Sequence, residues 1–449
     1  MLSAESRRRF GDSPDKHGGG AGEPVPPSYP PSDRAESRPT PSRRSLRGLD
    51  WFIFCVADVQ TGFGPFVSVF LTTQKWTQVD IGLVLSAAGF VSLIGQMPGG
   101  ALVDAARSER RVAGIAVAAI CFSALGYAAL PIFPMVLSAA IVHSLASCVL
   151  GPAMVAISLG LVGHAAISER LGRNARFASI GNGLAAAAMG AVGYFSPRAV
   201  FIVTVFLLVP ALVALRNIDE TEIDPESAHG AVPKPLADKP RPKPGELMQN
   251  RPLLIFAGCL LLFHLANAAM LPLLGSVVTM RSARWAPVLI AACIVVPQLV
   301  VAASSPWIGR RAQLWGRRPL LLMAFAALPL RGLLFATVTN PEALVVVQLL
   351  DGVTAAVFSV LVPLVVADLT RGTGHFNLGQ GIIGTFVGIG ASFSATLAGY
   401  MTDHLGSAAA FAGLAAIAAA GFVVVWYLMP ETREPQENEL RGRYLPYRP

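Results

Sequence analysis

The sequence predicts an all-α integral membrane protein whose twelve transmembrane helices form two six-helix bundles. Three observations predict it. About a dozen apolar stretches of roughly 18 to 25 residues recur along the chain, each long enough to cross a hydrocarbon layer of about 30 Å. Arginines crowd the loops on one side of the implied membrane and are sparse on the other. Features of the first half also return in the same order about 200 residues later.

Apolar residues make up 53% of the chain and charged residues 14%, a charged share well below that of a soluble domain. The net charge of +8 sits in the tails and arginine-bearing loops, which marks topology and argues against nucleic acid as a partner. The partner implied throughout is the lipid bilayer. Cys55, Cys121, Cys148, Cys259 and Cys293 fall inside apolar stretches without metal-binding spacing, so they read as small buried hydrophobes.

Residues 1–48 are rich in Arg, Pro, Ser and Gly and read as a disordered basic tail that no signal-peptide core interrupts. Arg43, Arg44 and Arg47, just before the first span, hold that end in the cytoplasm; a plain topology anchor is the simpler reading beside a contact with anionic lipid. Helices are expected near 50–71, 80–104, 112–131, 134–160, 177–196 and 198–215, forming an N-terminal bundle over 49–215. A second set is expected near 253–279, 284–307, 319–338, 342–367, 377–401 and 405–429, forming a C-terminal bundle over 251–429. Between them, 216–250 carries six prolines and reads as a flexible cytoplasmic linker, and 430–449 as a C-terminal tail. Arg107, Arg110 and Arg111, then Arg170, Arg173 and Arg176, then Arg310, Arg311, Arg317 and Arg318 mark the inner loops. Both termini are therefore expected inside, with the chain in a plasma (inner) membrane.

The duplication is carried by two pairs of features. Gly100 and Asp104 with the arginines after them are answered by Gly309, Gln313, Gly316, Arg317 and Arg318; Phe177 with Gly181 and Gly183 is answered by Phe376 with Gly379 and Gly381. On these residues the chain, from about 50 to 430, resembles the major facilitator superfamily. Its loop signature is a Gly, an acid four positions on, a second Gly three further, then basic residues. Here Arg107 replaces the second Gly of the first copy, and Gln313 replaces the acid of the second.

The resemblance implies a secondary transporter in which two bundles rock about a central site, exposing it to each side in turn. Gly100, Asp104, Arg107, Arg110, Arg111, Gly309, Gln313, Gly316, Arg317 and Arg318 are then expected to form an inner-face latch. In it Asp104 pairs with arginines or with a helix terminus of the other bundle. The competing reading is a charge set kept for topology alone.

Polar groups inside the spans are functional candidates because a mid-bilayer charge costs several kcal/mol unless paired or wetted. Asp58 lies about 12 Å into the first span, with Gln60 beside it and a Gly-Pro kink at the same level. It is the expected proton-coupling or substrate-contacting carboxylate, against a structural role as a cap. Arg331 and Asp351 fall at similar depth on adjacent antiparallel helices and are expected to pair, as a clamp or as a substrate contact. His143, His264 and Asn267 are weaker candidates, since a lone histidine on an apolar helix is more often hydrogen-bonded core. Gly183 to Gly193 partly resembles the fifth-helix motif of drug/proton antiporters, though close packing explains it as well.

No HExxH or P-loop motif occurs, so the chain is expected to be neither an enzyme nor an ATP-driven pump and to need no cofactor. The expectation is a monomeric transporter moving a small organic solute, proton-coupled, in the direction of efflux. Uptake of a small polar metabolite, a channel and a non-transporting receptor or scaffold remain the alternatives.

Overall fold

The computed structural model describes residues 40–61, 67, 70–231, 244–281 and 286–433, and no strand occurs among them. The first span, Arg43–Thr61, is followed by the second, Gln78–Asp104, and the third, Glu109–Ala129. Local sequence sets where they begin. Thr77 accepts the Asp80 N–H at 3.1 Å and Ser108 the Arg111 N–H at 3.2 Å, so each new helix starts with a side-chain cap. The first span starts at Arg43, inside the stretch expected as a tail, and carries Arg43, Arg44 and Arg47 on its opening turns.

The fourth and fifth spans run as one helix, Phe133–Phe195, broken at Gly163, whose φ of 68° and ψ of 177° only glycine adopts readily. The sequence places a loop between about 160 and 177, yet 164–176 is helical. Its Ala, Glu, Leu and Arg residues are helix formers, so polarity here lengthens the fifth span beyond the apolar layer rather than ending it. The sixth span, Pro197–Arg216, closes the first half.

In the second half, the seventh span is divided into Arg251–Asn267 and Met270–Arg281, and Ser394 Oγ accepts the Ala269 N–H left free at the break (2.9 Å). The eighth is Ala286–Trp315 and the ninth Arg318–Thr337. The tenth is divided at Gln348 into Pro341–Val347 and Leu349–Leu369; the eleventh is Phe376–Leu405 and the twelfth Ser407–Leu428. Ten helices among the described residues are long and apolar enough to cross a membrane, one of them being the double span broken at Gly163.

Two hydrophobic cores form. One runs from Leu49 to Ala228; the other is built on Leu253 to Met429, with Leu159, Ile167, Leu171 and Ala175 of the first half packed into it. The five cysteines are buried and free.

The connector between the halves departs from the expected flexible linker over 216–250. Residues 217–231 pack as a strap, with Ile218, Ile223, Ala228 and Ala231 buried. Asp219 and Asp224 start its two short helical turns by accepting backbone N–H groups, and the Thr221 N–H and hydroxyl hold the Asp219 carboxyl below the usual carboxylate range. The strap reaches both halves: Asp224 N–H donates to Gly160 O (3.1 Å), Gly372 N–H to Gly230 O (2.7 Å) and Phe376 N–H to His229 O (3.2 Å). Leu247 anchors the return at 244–249.

Candidate functional site

The two halves meet on the arginine-rich face. The eleventh span starts without a side-chain cap from its own N-cap residue, His375, so its first N–H groups need acceptors from elsewhere. Asp104, at the end of the second span, supplies the missing acceptor from the other half. Its Oδ1 accepts the Asn377 N–H at 3.1 Å and the Asn377 side-chain amide at 2.9 Å, and its Oδ2 accepts the Leu378 N–H at 2.8 Å. A carboxylate at a helix N-terminus gains from both the unpaired N–H groups and the helix dipole. One turn earlier Gly100 lies so close that a Cβ would run into the Asn377 carbonyl, and a Cβ on Gly381 would run into Gln96. The absence of side chains is what lets the cap reach its partner.

A related contact occurs where the duplication predicts it, between the eighth and fifth spans. A Cβ on Gly309 would run into the Ser168 carbonyl, and one on Gly172 would meet Ser305 O. Gln313 Nε2 donates to Ala165 O at 2.7 Å. The acid and the amide thus take opposite roles: Asp104 accepts from a helix start, and Gln313 donates to a backbone carbonyl near the Gly163 break. Arg176 adds a bond to Ala302 O at 2.9 Å.

The remaining residues of the expected latch are placed elsewhere. Arg110 binds the strap, through Ile218 O at 2.7 Å and Glu220 at 3.0 Å, and Arg107 and Arg111 are exposed. None of the three binds Asp104, which chose the helix terminus over the arginines. Arg317 pairs with Asp368 at 2.9 Å within the second half. Glu431 accepts the N–H groups of Arg317 (2.7 Å) and Arg318 (3.0 Å), capping the ninth span, and Gly316 takes the turn between at φ 92°.

One charged group of this face was missed in the sequence. Asp50, in the first span, is buried and accepts from Arg170 at 2.5 Å and Arg173 at 2.6 Å. The arginines read as topology markers therefore also clamp the first span to the fifth. The available signal was Asp50 itself, an acid inside the apolar run around Leu49 and Trp51.

Deeper in the second half, the expected Arg331–Asp351 pair forms, and Arg331 also donates to Asn267 Oδ1. Met270 Sδ lies 3.3 Å from the guanidinium. Three spans (seventh, ninth and tenth) are thus joined through one buried cation, while Asp351 and Asn267 remain partly exposed. His264, one turn before Asn267, bonds to its own helix at Leu260 O (2.9 Å) with Phe263 edge-on. His143 is half-buried in the fourth span, in the other half. The side chains of Asp58 and Gln60 lie outside the described residues. Among the described residues no group of His, Cys, Asp and Glu is arranged to hold a metal ion.

Comparison with known proteins agrees with this architecture. The sequence profile of the Major Facilitator Superfamily matches residues 51–296 and again 257–447. An uncharacterized MFS-type transporter of Mycobacterium tuberculosis, found in strains CDC 1551 / Oshkosh and H37Rv, is 39% identical over 411 residues, covering 90% of this chain and 96% of the relative. The crystal structure of the human organic anion transporter MFSD10 (TETRAN) superposes with a TM-score of 0.60 at 17% identity, covering 85% of this chain and 99% of that one, which is a likeness of fold. With matched spans, paired contacts between the halves and a profile that matches nearly the whole chain in two overlapping stretches, the chain belongs to the Major Facilitator Superfamily and is a membrane transporter.

Proposed function

We propose that this transporter works by alternating access and exports a small organic solute in exchange for protons, with the arginine-rich face in the cytoplasm. The observation that carries the reading is the cap placed by Asp104 on the eleventh span. It joins the halves by three hydrogen bonds to one carboxylate, a contact that either holds whole or is lost when the halves separate. The Gln313–Ala165 bond and the strap join the same face, which supports reading this conformation as the one shut to the cytoplasm.

In this reading Asp58 is the proton-carrying carboxylate, with Gln60 beside it. The Arg331–Asp351–Asn267 group is a clamp that keeps the second half rigid while it rocks, and His143 and His264 are core polar groups. The clamp is supported by Arg331 joining the seventh, ninth and tenth spans through Asp351, Asn267 and Met270.

The test is a thermal-shift panel on detergent-purified protein, wild type beside Asp58→Asn, across small organic solutes at two pH values. A bound solute stabilises the folded chain by mass action. In an exchanger solute and proton compete, so a solute that binds more tightly at the higher pH, with that dependence lost in Asp58→Asn, supports proton-coupled export. Tighter binding at the lower pH would overturn it in favour of uptake with a proton.

A further inference from the structure

The sixth span has a basic groove on each side of its end at the arginine-rich face. One groove, about 530 Å³, lies between the first and sixth spans and is lined by Arg43, Arg44 and Arg47 above Trp51, Pro210 and Val213. The other, about 500 Å³, lies between the third and sixth spans and is lined by Arg110, Arg111 and Arg216 beside Val209, Leu212 and Val213. Each therefore stacks three guanidinium groups at the polar end over an apolar floor that continues along the helices.

The arginines are not all committed to the fold. Arg44 bonds to Asn217 Oδ1, and Arg110 to Ile218 O and Glu220. The side chains of Arg43, Arg47, Arg111 and Arg216 are exposed and make no hydrogen bond or ion pair among the described residues. Trp51, Val209 and Val213 are exposed too, at 55%, 63% and 55%. A cationic rim over an open apolar wall is complementary to one chemistry, an anion carrying a hydrocarbon chain.

We propose that each groove seats one anionic phospholipid, its phosphate on the arginine rim and an acyl chain along the sixth span. A free anion would gain nothing from the floor formed by Trp51 and Val213, and a zwitterionic lipid would gain little from the rim. Both sites are lined by first-half residues away from the contact between the halves; Asn217 of the strap lines one, and Arg110 of the other bonds to Ile218 O of the strap.

The test uses the full chain, purified in neutral detergent, stripped of lipid and titrated with phosphatidylglycerol, phosphatidylcholine or glycerol phosphate. Bound molecules are counted by native mass spectrometry. The expected result is two retained phosphatidylglycerols, with neither phosphatidylcholine nor glycerol phosphate retained. Arg43→Gln with Arg47→Gln should remove one lipid, and Arg111→Gln with Arg216→Gln the other. Each pair should weaken Kd about 25-fold, from roughly fivefold per arginine lost. Lysine at the same positions should keep both lipids. Equal retention of phosphatidylcholine, equal binding of glycerol phosphate, or unchanged phosphatidylglycerol binding in the four-fold glutamine variant would each overturn the proposal. The three-ligand comparison on the wild-type chain decides the matter even if a variant fails to fold.

Discussion

The Asp104 carboxylate and the Asn377 backbone N–H stand 3.1 Å apart, joining the end of the second span to the start of the eleventh across the two halves of the chain. The contact is possible because Gly100 lets the two helices approach until only a hydrogen atom fits between them. Asp104→Ala should keep the fold and weaken closure of this face. Hydrogen bonds to a charged group contribute about 1.5–3 kcal/mol, so the balance should shift toward the open form by at least about tenfold. Labelling of a reporter thiol at Gln380→Cys by a membrane-impermeant reagent would measure it, and an unchanged rate would remove Asp104 from the mechanism.

Gln313 offers a test with a pH signature. Its amide donates to Ala165 O at 2.7 Å, so Gln313→Glu turns a donor into a carboxylate facing a carbonyl. Repulsion should open the contact at neutral pH. Protonation restores a donor, so labelling of the same reporter should fall as pH drops through the ordinary glutamate range, about 4.3. The wild-type glutamine should show no such step.

Arg331 is buried and pairs with Asp351 and Asn267. Asp351→Asn leaves the cation without its countercharge and should cost about 3–5 kcal/mol, read as a lower Tm in detergent. Exchanging the two residues (Arg331→Asp with Asp351→Arg) should recover most of that loss and, for a clamp, transport as well. Recovery of Tm without transport would identify the arginine as a solute contact instead.

Asp50 separates a buried partner from an exposed one. The Arg170 side chain is 4% exposed and that of Arg173 is 54% exposed. Arg173→Gln should therefore cost no more than about 1 kcal/mol, whereas Asp50→Asn, which strands Arg170, should cost about 3–5 kcal/mol. Thermal unfolding of the two variants, measured side by side, checks the order.

The number, order and type of the spans were legible because hydrophobic length and helix patterning are local properties of the chain. The duplication was legible for a similar reason: Gly100 with Asp104 and Gly309 with Gln313 recur at matched places, and both glycines sit at contacts between the halves. The pairing of Arg331 with Asp351 followed from counting residues to the same turn, since antiparallel neighbours share depth.

What the sequence could not decide was the choice among partners. Asp104 had arginines three, six and seven residues away, yet it caps a helix some 270 residues on, because burial against the eleventh span left N–H groups that needed an acceptor. Arg110 went to the strap and Arg170 to Asp50 for the same reason: each found the charge or carbonyl that packing placed beside it. The strap itself looked like a loop, since prolines and charges set its composition while a few small apolar residues, Ile218, Ile223, Ala228 and Ala231, and backbone hydrogen bonds that no sequence pattern announces bind it to the body. Span positions are determined along one dimension. Polar partners are determined by which helix ends meet in three, and those crossings are set by glycine contacts between segments hundreds of residues apart.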